Sequence, residues 1–525
     1  MSVNKFIYMY LADYLDQYHI KIVWASLLAN YITGFNNKEL NYILLGKDFV
    51  NSSMIEKNLL NGLSMGEIAG LYEFSLAHCN SKARKLAGQY FTPDDVAAVM
   101  AKKAIKNFSD GYQKNKIWCD PCVGIGNLAY YLIANQKNPE SFLQKNIFFI
   151  DKDRLALFIA RTLLTIKFQQ KNKNLFWDIK KKFITADFLL NHDVPNFDYA
   201  LFNPPYGKID KTTSRQFISS DIYAQFIEAV IKKIAHRGGG FVSITPQSFT
   251  HAEKFFHLRK LLLSSGKKLT IYNFDNVPDN IFYGKKFGSG NSNQVNSTRA
   301  AITIFHHRIK FDKAIYFSIT PLLRWRTAER SQLLASIDSF LTIFENPQAK
   351  IFPKMQAELK DIYYLMLGKK TLSTVLSKMP TDYFLFVPTT PRYFISALRY
   401  RPHRTSCRML YFVDSDSRDI AYILLNSSFC YWWWRVHDGG MTLSKKTLHS
   451  LPFLLQSPPP LTILKELQLS EKNNKVIKKN AGHDNENVKH SPSLIDLLNR
   501  QVAKNFCNVQ YDGQMFLSLH HNTVL

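Results

Sequence analysis

Four short apolar segments, each ending in a polar residue, constrain the fold of this chain more than any other feature. The segments and their terminal side chains are residues 116–119 with Asp120, 147–150 with Asp151, 182–186 with Asp187, and 197–202 with Asn203. Apolar runs of this length with aromatic residues are typical of buried strands, and helical sequence separates them. The alternation predicts a parallel, doubly wound α/β sheet with a ligand cleft beyond the carboxyl ends of its strands.

The fourth segment ends in an Asn-Pro-Pro-Tyr tetrapeptide, formed by Asn203, Pro204, Pro205 and Tyr206. Two consecutive prolines cannot donate ladder hydrogen bonds, so the strand must end there in a stiff turn. The Asn amide offers one acceptor and two donors, the prolines offer carbonyls, and Tyr offers a flat ring. These groups suit a planar base with an exocyclic amine, although the four residues alone are equally consistent with a structural turn.

Glycines follow the first strand, and two ligand classes fit them. Gly124 and Gly126 would let a ligand approach the backbone closely, and a carboxylate at Asp151 suits the hydroxyls of a ribose. The pattern Gly124-x-Gly126-x-x-Ala129 also matches the dinucleotide fingerprint, so a nicotinamide or flavin oxidoreductase is an alternative. Against it, Asp120 would lie unpaired near a pyrophosphate, and such a fold gives no reason for the tetrapeptide.

Composition narrows the class of protein. A chain of 525 residues is expected to form about two or three domains. Its 67 Lys and Arg against 41 acidic residues give a formal charge of +26, which favours a polyanionic partner such as nucleic acid, although an AT-rich genome would also enrich Lys. Cys119 and Cys122 lack a second close pair, so we expect no metal site. No segment is typical of a membrane span or a leader, which predicts a cytoplasmic protein.

Two features precede the first strand. Residues 1–85 carry apolar side chains at helix-like intervals, which predicts a helical N-terminal region. Residues 88–93, Gly-Gln-Tyr-Phe-Thr-Pro, are followed by Asp94 and Asp95. We expect a helix here with the Thr92 hydroxyl as its N-cap, Pro93 in the first turn, and the acids facing the helix dipole.

Taken together, these segments resemble the class I S-adenosylmethionine-dependent DNA adenine-N6 methyltransferases of restriction–modification systems. The resemblance covers residues 65–310 with specific motifs and residues 380–455 more loosely. It implies a helical N-terminal region at 1–85, a Rossmann-like methyltransferase sheet at 86–310, a mixed α+β DNA-recognition domain at 311–460, and a linker with a C-terminal helix at 461–525. S-adenosylmethionine is the implied cofactor.

The same resemblance implies roles for individual residues. It assigns the tetrapeptide to catalysis and nine residues to the cofactor pocket: Tyr90, Thr92, Pro93, Asp120, Gly124, Gly126, Asp151, Asp187 and Phe188. Asp120 and the glycine turn would contact the methionine part, and Asp151 would hold the ribose hydroxyls. Asp187 and Phe188 would bind and flank the cofactor's adenine. Cys122 and Val123 make the turn bulkier than is usual in the family.

The chemistry of the tetrapeptide can be argued from its atoms. An adenine amino nitrogen is a poor nucleophile because its lone pair is conjugated with the ring. If its two protons are donated to the Asn203 side-chain oxygen and the Pro204 carbonyl, the nitrogen becomes more pyramidal and its lone pair can attack a methyl group in line. Tyr206 would stack on the base, which must flip out of the duplex. Methyltransferases for RNA or for protein glutamine carry similar tetrapeptides, so the motif alone does not identify the substrate.

The C-terminal half shows no further parallel-sheet signature after residue 312. Arginines and aromatic residues interleave there, as in surfaces that contact phosphates and bases. The predicted DNA contacts, including one aromatic in a Gly-rich loop, are Phe287, Arg324, Arg326, Arg392, Tyr393, Arg399 and Arg401. Residues 424–434 predict a buried aromatic helix, residues 471–491 an exposed linker, and residues 493–506 a last helix.

These observations predict a site-specific DNA adenine-N6 methyltransferase that acts on double-stranded DNA. We find no nuclease constellation, so a separately encoded restriction endonuclease is the expected partner in the same system. The alternatives are a methyltransferase for RNA adenine or protein glutamine, a dinucleotide oxidoreductase, and a non-catalytic DNA-specificity subunit on the same scaffold.

Overall fold

The structure is a computed structural model. It describes residues 5–33, 55, 58–79, 92–108, 116–190, 193–207, 217–234, 238–282, 298–308, 315–391, 394–438, 440, 442–453, 458–480, 483–504 and 512. Tyr90, Phe287, Arg392 and Tyr393, four of the predicted site residues, lie outside this part of the chain.

The described residues form the following strands: β1 Trp118–Asp120, β2 Ile147–Asp151, β3 Phe183–Thr185, β4 Tyr199–Phe202, β5 Gly240–Pro246, β6 Gly266–Phe274, β7 Ala300–His307, β8 Tyr316–Leu323, β9 Thr342–Phe344, β10 Phe384–Pro388, β11 Cys407–Tyr411, β12 Lys475–Asn480 and β13 His483–Val488.

The α-helices are α1 Lys5–Gln17, α2 Ile20–Thr33, α3 Met65–Cys79, α4 Asp94–Asn107, α5 Asn127–Ala134, α6 Pro139–Lys145, α7 Arg154–Phe168, α8 Leu175–Asp178, α9 Ile222–Ile234, α10 Phe256–Ser265, α11 Arg330–Ser336, α12 Lys360–Met366, α13 Ser415–Asn426, α14 Ser428–His437, α15 Lys445–His449, α16 Leu461–Asn473 and α17 Pro492–Ala503. Short 3-10 helices occur at Lys180–Lys182, Gln247–Thr250, Glu253–Phe255, Thr327–Glu329, Ile337–Phe340, Ala357–Leu359 and Leu372–Val375.

One large sheet organises the described part of the chain, with strand order β3-β2-β1-β4-β5-β7-β6-β8-β9. Strands β1 to β5 pair in parallel, and β7 runs antiparallel between β5 and β6. The four strands predicted from the sequence are confirmed. Because they are parallel neighbours, their carboxyl ends meet at one edge of the sheet, on either side of the point where the strand order reverses.

Alternate residues of the central strands enter two different cores. Phe148 and Phe202 face one core, with helices α9 and α10, while Phe149 and Leu201 face the other, with α4 and α5. A strand buried on both faces by helices explains why these segments are continuously apolar. The structure therefore confirms the predicted Rossmann-like, doubly wound α/β sheet.

The N-terminal helices α1, α2 and α3 form a third core. Trp24 and Tyr72 lie in it, and Ile159 and Leu163 of α7 contribute from the sheet domain. Tyr72 also donates a hydrogen bond to Asp153, the N-cap of α7, at 2.6 Å. The helical N-terminal extension thus packs against the outer helix of the sheet rather than forming a separate unit. None of the described helices is long and apolar enough to cross a membrane.

The expectation that the parallel sheet ends before residue 312 is wrong. Strand β8 pairs in parallel with β6, and β9 adds an antiparallel edge. Pro321 lies within β8, and a proline normally argues against a central strand because it cannot donate a ladder hydrogen bond. The structure accommodates it where the register shifts between Ile271 and Asn273 of β6.

Residues 471–491 are not the exposed linker that their Lys- and Asn-rich composition predicted. The described residues of this range include the end of α16 and the paired antiparallel strands β12 and β13. Opposite charges face each other across it: Lys479 pairs in register with Asp484, and the Lys475 ammonium lies 3.3 Å from the Glu486 carboxylate. Cross-strand charge pairs stabilise a hairpin whose net composition resembles a linker. The predicted last helix is confirmed as α17.

Helix α14 joins the C-terminal half to the sheet. Its three tryptophans, Trp432, Trp433 and Trp434, are buried, which confirms the predicted aromatic helix. At its end, Arg435 donates to the Asp275 carboxylate at 2.6 Å, and Asp275 directly follows β6. An interior ion pair therefore connects the sheet edge to the C-terminal helices.

Candidate active site

A cavity of about 210 Å³ opens at the carboxyl ends of strands β1 to β4. Predicted site residues that share its wall are Thr92, Asp120, Gly124, Asp151, Asp187, Phe188, Asn203, Pro204 and Pro205. Pro93, Gly126 and Tyr206 lie next to the cavity in sequence but do not line it. The structure thus brings the ends of four strands and the segment before α4 to one space.

The glycine turn after β1 has the geometry that its residues predicted. Gly124 and Gly126 have φ of 53° and 91°, the left-handed region that only glycine adopts without strain. The Gly124 N–H donates to the Asp151 carboxylate at 2.8 Å. A side chain at Gly126 would come within 3.4 Å of Ala160 on α7, so Gly126 shapes the helix start instead of lining the cavity.

Two carboxylates line the cavity from neighbouring strands, and one of them is buried while the other is partly buried. Asp120 is only 3% exposed and accepts a hydrogen bond from the Cys122 N–H at 3.1 Å. Burial, with a smaller contribution from the nearby Asp151 charge, raises the pKa of Asp120 to about 8. Burial also raises the pKa of Asp151, although the N–H groups of Asp153 and Gly124 oppose this shift. The Asp120 carboxyl is therefore mostly protonated at neutral pH until a cation approaches it.

The side of the cavity beyond β3 is largely apolar. Phe188 is buried and stacks on Phe226 of α9, with ring centroids 5.5 Å apart and planes at 24°. Asp187 is exposed, and its carboxylate accepts a hydrogen bond from the Leu189 N–H at 3.0 Å. An aromatic wall with an acceptor at its rim suits a planar heterocycle that carries an amino group.

The Asn203 side chain contacts the segment before α4. Its Nδ2 donates to the Thr92 hydroxyl oxygen at 3.1 Å. The prediction that Thr92 caps α4 is wrong: the N-cap is Pro93, no side chain caps the helix, and α4 begins at Asp94. Because Pro93 is extended, Thr92 lies one residue before the N-cap. The Thr92 hydroxyl therefore accepts from Asn203 of the tetrapeptide instead of capping the helix.

Tyr206 occupies the far side of the tetrapeptide. Its hydroxyl donates to the Ile244 carbonyl at 3.3 Å, and its ring lies edge-on to Tyr223 and Phe282 at 6.4 and 5.9 Å. These contacts hold a half-buried ring beside Pro205, where the strand edge meets β5.

The described arginines among the predicted DNA contacts are in different environments. Arg324 is fully buried and donates to Asp275, so it is an interior ion-pair residue and not an accessible DNA contact. Arg399 is partly buried beside Asp419. Arg326 and Arg401 are exposed. The structure therefore excludes Arg324 from the predicted DNA contacts, and the roles of Arg326, Arg399 and Arg401 stay predictions.

Several residues of the cavity were not identified from the sequence. They are Asn127, Gln225, Phe217, Ile222 and Phe226. Asn127 is the most informative, because its Nδ2 donates to the Thr92 carbonyl at 2.5 Å. Its position directly after Gly126, at the first turn of α5, was the only signal available. The other four lie in or near α9, whose approach to the cavity depends on the tertiary packing.

The donor set fits S-adenosylmethionine. Asp120 is a buried carboxyl suited to a cationic amino acid moiety, and the second carboxylate, Asp151, suits vicinal ribose hydroxyls. The aromatic wall at Phe188 suits an adenine. Within the described residues no cluster of three or more His, Cys, Asp or Glu side chains could hold a metal ion.

Part of the chain is similar in sequence to known methyltransferases. Residues 145–282 match the family model for the Eco57I restriction-modification methylase. The type II methyltransferase M.BsuBI of Bacillus subtilis is 25% identical over 197 residues, which cover 35% of this chain and 38% of that protein. The match thus spans well under half the length of that relative. The matched residues 145–282 include the Asn-Pro-Pro-Tyr tetrapeptide, so the match agrees with the family resemblance inferred from the motifs.

Two solved structures align with this chain over different shares of its length. The type IIG restriction endonuclease BpuSI has a TM-score of 0.46 and 11% identity, covering 99% of this chain and 76% of that one. A putative class I S-adenosylmethionine-dependent methyltransferase from Listeria monocytogenes has a TM-score of 0.38 and 16% identity, covering 64% of this chain and 98% of that one.

The raised pKa of Asp120 predicts that cofactor affinity depends on pH. If Asp120 must ionise to hold the cationic methionine part, binding releases one proton below pH 8. The association constant should then rise about tenfold per pH unit up to about pH 8 and level off above it. Isothermal titration of S-adenosylmethionine between pH 6 and 9 measures this. Asp120→Asn should bind more weakly and lose this slope; an identical slope in both proteins would contradict the prediction.

Proposed function

We propose that this protein is a DNA methyltransferase that transfers a methyl group from S-adenosylmethionine to the N6 amino group of a flipped adenine. The observation that carries the proposal is that Asn203, Pro204 and Pro205, at the carboxyl end of β4, share one cavity with Asp120 and Asp151. A methyl donor held by those carboxyls would lie beside the atoms that bind an amine.

The residues of the chain then act by binding and orientation. Asp151 would hold the ribose, Asp120 the amino acid part, and Phe188 the adenine of the cofactor. When bound, S-adenosylmethionine supplies an electrophilic methyl group on a sulfonium. The Asn203 oxygen and the Pro204 carbonyl would accept the two amine protons of the target base, which directs the nitrogen lone pair into the cavity. Tyr206 would stack on the base and keep water away from its face.

Duplex DNA is the substrate that the chain's charge favours. The formal charge of +26 attracts a polyanion, and the exposed Arg326 and Arg401 can contact phosphates. A base can reach a cavity at a sheet edge only after leaving the duplex. The matched family model describes a restriction-modification methylase, and the relative from Bacillus subtilis is a type II methyltransferase. We therefore propose a protective role in the cytoplasm, beside a separately encoded restriction endonuclease.

The experiment is methyl transfer from labelled S-adenosylmethionine to duplex DNA, RNA and protein, followed by nucleoside and amino acid analysis. Label in N6-methyladenine from DNA is the expected result. Label in N6-methyladenine from RNA alone would show that RNA, and not DNA, is the substrate. Label in glutamine would show that protein is the substrate. Label in cytosine would overturn the adenine assignment, and binding of a dinucleotide in place of S-adenosylmethionine would overturn the reaction class.

A further inference from the structure

We propose that Thr92 is a positioning residue for the catalytic amide, an inference that rests on the proposed function. The Thr92 hydroxyl oxygen lies 3.1 Å from Asn203 Nδ2 and accepts its hydrogen bond. Thr92 is 4% exposed, so water cannot readily substitute for this contact. The resemblance assigned Thr92 only to the cofactor pocket; the structure gives its hydroxyl a second partner in the tetrapeptide.

The contact bears on the reaction because an amide has two unlike edges. Asn203 can accept a proton of the target amine only through Oδ1, since its Nδ2 is a donor and would repel the amine N–H groups. Binding Nδ2 to Thr92 ties that edge of the planar amide to the protein. The edge that carries Oδ1 then points away from Thr92. Thr92 thus orients the acceptor without touching the substrate base.

Thr92 can orient Asn203 because the residues around Thr92 are themselves held by hydrogen bonds to three other parts of the chain. The Thr92 carbonyl accepts from Asn127 Nδ2 at 2.5 Å. Two residues later, Asp94 accepts from the Ser64 hydroxyl at 2.6 Å and the Gly66 N–H at 2.8 Å, both from the N-terminal helical region.

The third contact that holds the residues around Thr92 is an ion pair. Asp95 accepts two hydrogen bonds from the Arg330 guanidinium, at 2.5 and 3.1 Å. Arg330 is 3% exposed and also donates to the carbonyls of Asn280 and Ile281. Functional side chains are best oriented by neighbours that are themselves fixed. The N-terminal helices and the β6–β7 connection would therefore contribute to catalysis through Thr92.

The test is Thr92→Val, which keeps the branched shape and removes the hydroxyl. We expect the rate at saturating DNA and cofactor to fall about 10- to 100-fold, because small displacements of a catalytic group have effects of this size. The cofactor dissociation constant and the KM for DNA should stay within about threefold. Thr92→Ser keeps the hydroxyl and should restore most of the rate.

Thr162→Val is the matched control. Thr162 is also fully buried and hydrogen-bonded, to the Phe158 carbonyl at 2.9 Å, but it lies in α7 and does not line the cavity. Its rate should match the wild type. If Thr92→Val does not fold, Thr92→Ala removes the same hydroxyl, and Asn127→Ala removes the hydrogen bond that holds the Thr92 carbonyl. Thermal unfolding shows which variants are native.

The outcomes separate this inference from the proposed function. A wild type that methylates no DNA adenine overturns the proposed function itself. An active wild type with an equally fast Thr92→Val overturns the positioning role alone. A Thr92→Val variant that loses only cofactor affinity, with an unchanged saturated rate, makes Thr92 a pocket residue and also overturns the inference. A lower saturated rate that Thr92→Ser restores supports it.

Discussion

Asn203→Ala is expected to lower the rate of methyl transfer by about a thousandfold or more while the protein still binds S-adenosylmethionine. The substitution removes the side-chain oxygen that would accept one proton of the target amine and leaves only the Pro204 carbonyl. The nitrogen lone pair then remains conjugated with the ring. Single-turnover transfer to DNA, at saturating cofactor, measures the loss directly.

A remote asparagine provides the control for this substitution. Asn135 is exposed at the end of α5, where its side chain donates to the Tyr131 carbonyl at 2.8 Å. Asn135→Ala should transfer methyl groups at the wild-type rate. If Asn203→Ala retained more than about a tenth of the wild-type rate, proton acceptance by the side chain would not be the basis of catalysis.

Asp275→Ala is expected to have the largest effect on stability. The Asp275 carboxylate is fully buried and accepts from Arg299, Arg324 and Arg435, each at 2.6 Å. Removing it leaves three buried guanidinium groups without their shared counter-ion. Breaking a buried ion pair from one side costs about 3–5 kcal/mol, so Tm of a chain of this size should fall by roughly 3–5 °C. Thermal unfolding monitored by circular dichroism measures the change.

The exposed pair of Glu253 and Lys446 provides the comparison. Its nitrogen and oxygen lie 3.0 Å apart with both side chains mostly exposed, so Glu253→Ala should leave Tm unchanged. Equal Tm shifts for the two variants would show that the Asp275 cluster does not stabilise the junction between the sheet and α14.

The same cluster predicts acid sensitivity. The Arg435, Arg299 and Arg324 charges hold the pKa of Asp275 well below its usual range, against the effect of burial. A carboxyl with a lowered folded-state pKa stabilises the protein above its ordinary pKa, and this stabilisation is lost as pH falls further. The Tm difference between wild type and Asp275→Ala should therefore be full at pH 7 and smaller below about pH 4.

The residues whose place in the cavity wall was predicted from local sequence are those whose position follows from strand topology. Asp120, Asp151 and Asn203 each follow an apolar run, and parallel strands that are neighbours must place such residues at one edge. Gly124 is required by the tight turn itself. For these positions the chain within a few residues contains the necessary information, so the cavity wall could be predicted before the fold was known.

Other residues were misjudged because their partners are remote in sequence. Arg324 was interpreted as a DNA contact, but its partner Asp275 precedes it by 49 residues and lies just after another strand, β6. Thr92 resembled a helix cap, yet its hydroxyl accepts from Asn203, 111 residues away. The sequence on either side of a polar residue does not show whether its side chain faces solvent, a helix end or a buried partner.

The sequence by itself determined the class of fold and several residues that line the cavity, because strand periodicity, turn glycines and the Asn-Pro-Pro-Tyr tetrapeptide are local features. Only the tertiary structure decided which polar groups are joined in the interior. In the structure, the Thr92 hydroxyl is hydrogen-bonded to Asn203 and the Arg324 guanidinium to Asp275. The sheet continues through β8 although this strand contains Pro321. The physical reason is that hydrogen-bond partners and register are selected by packing across the whole chain, where burial makes each unmet polar group costly.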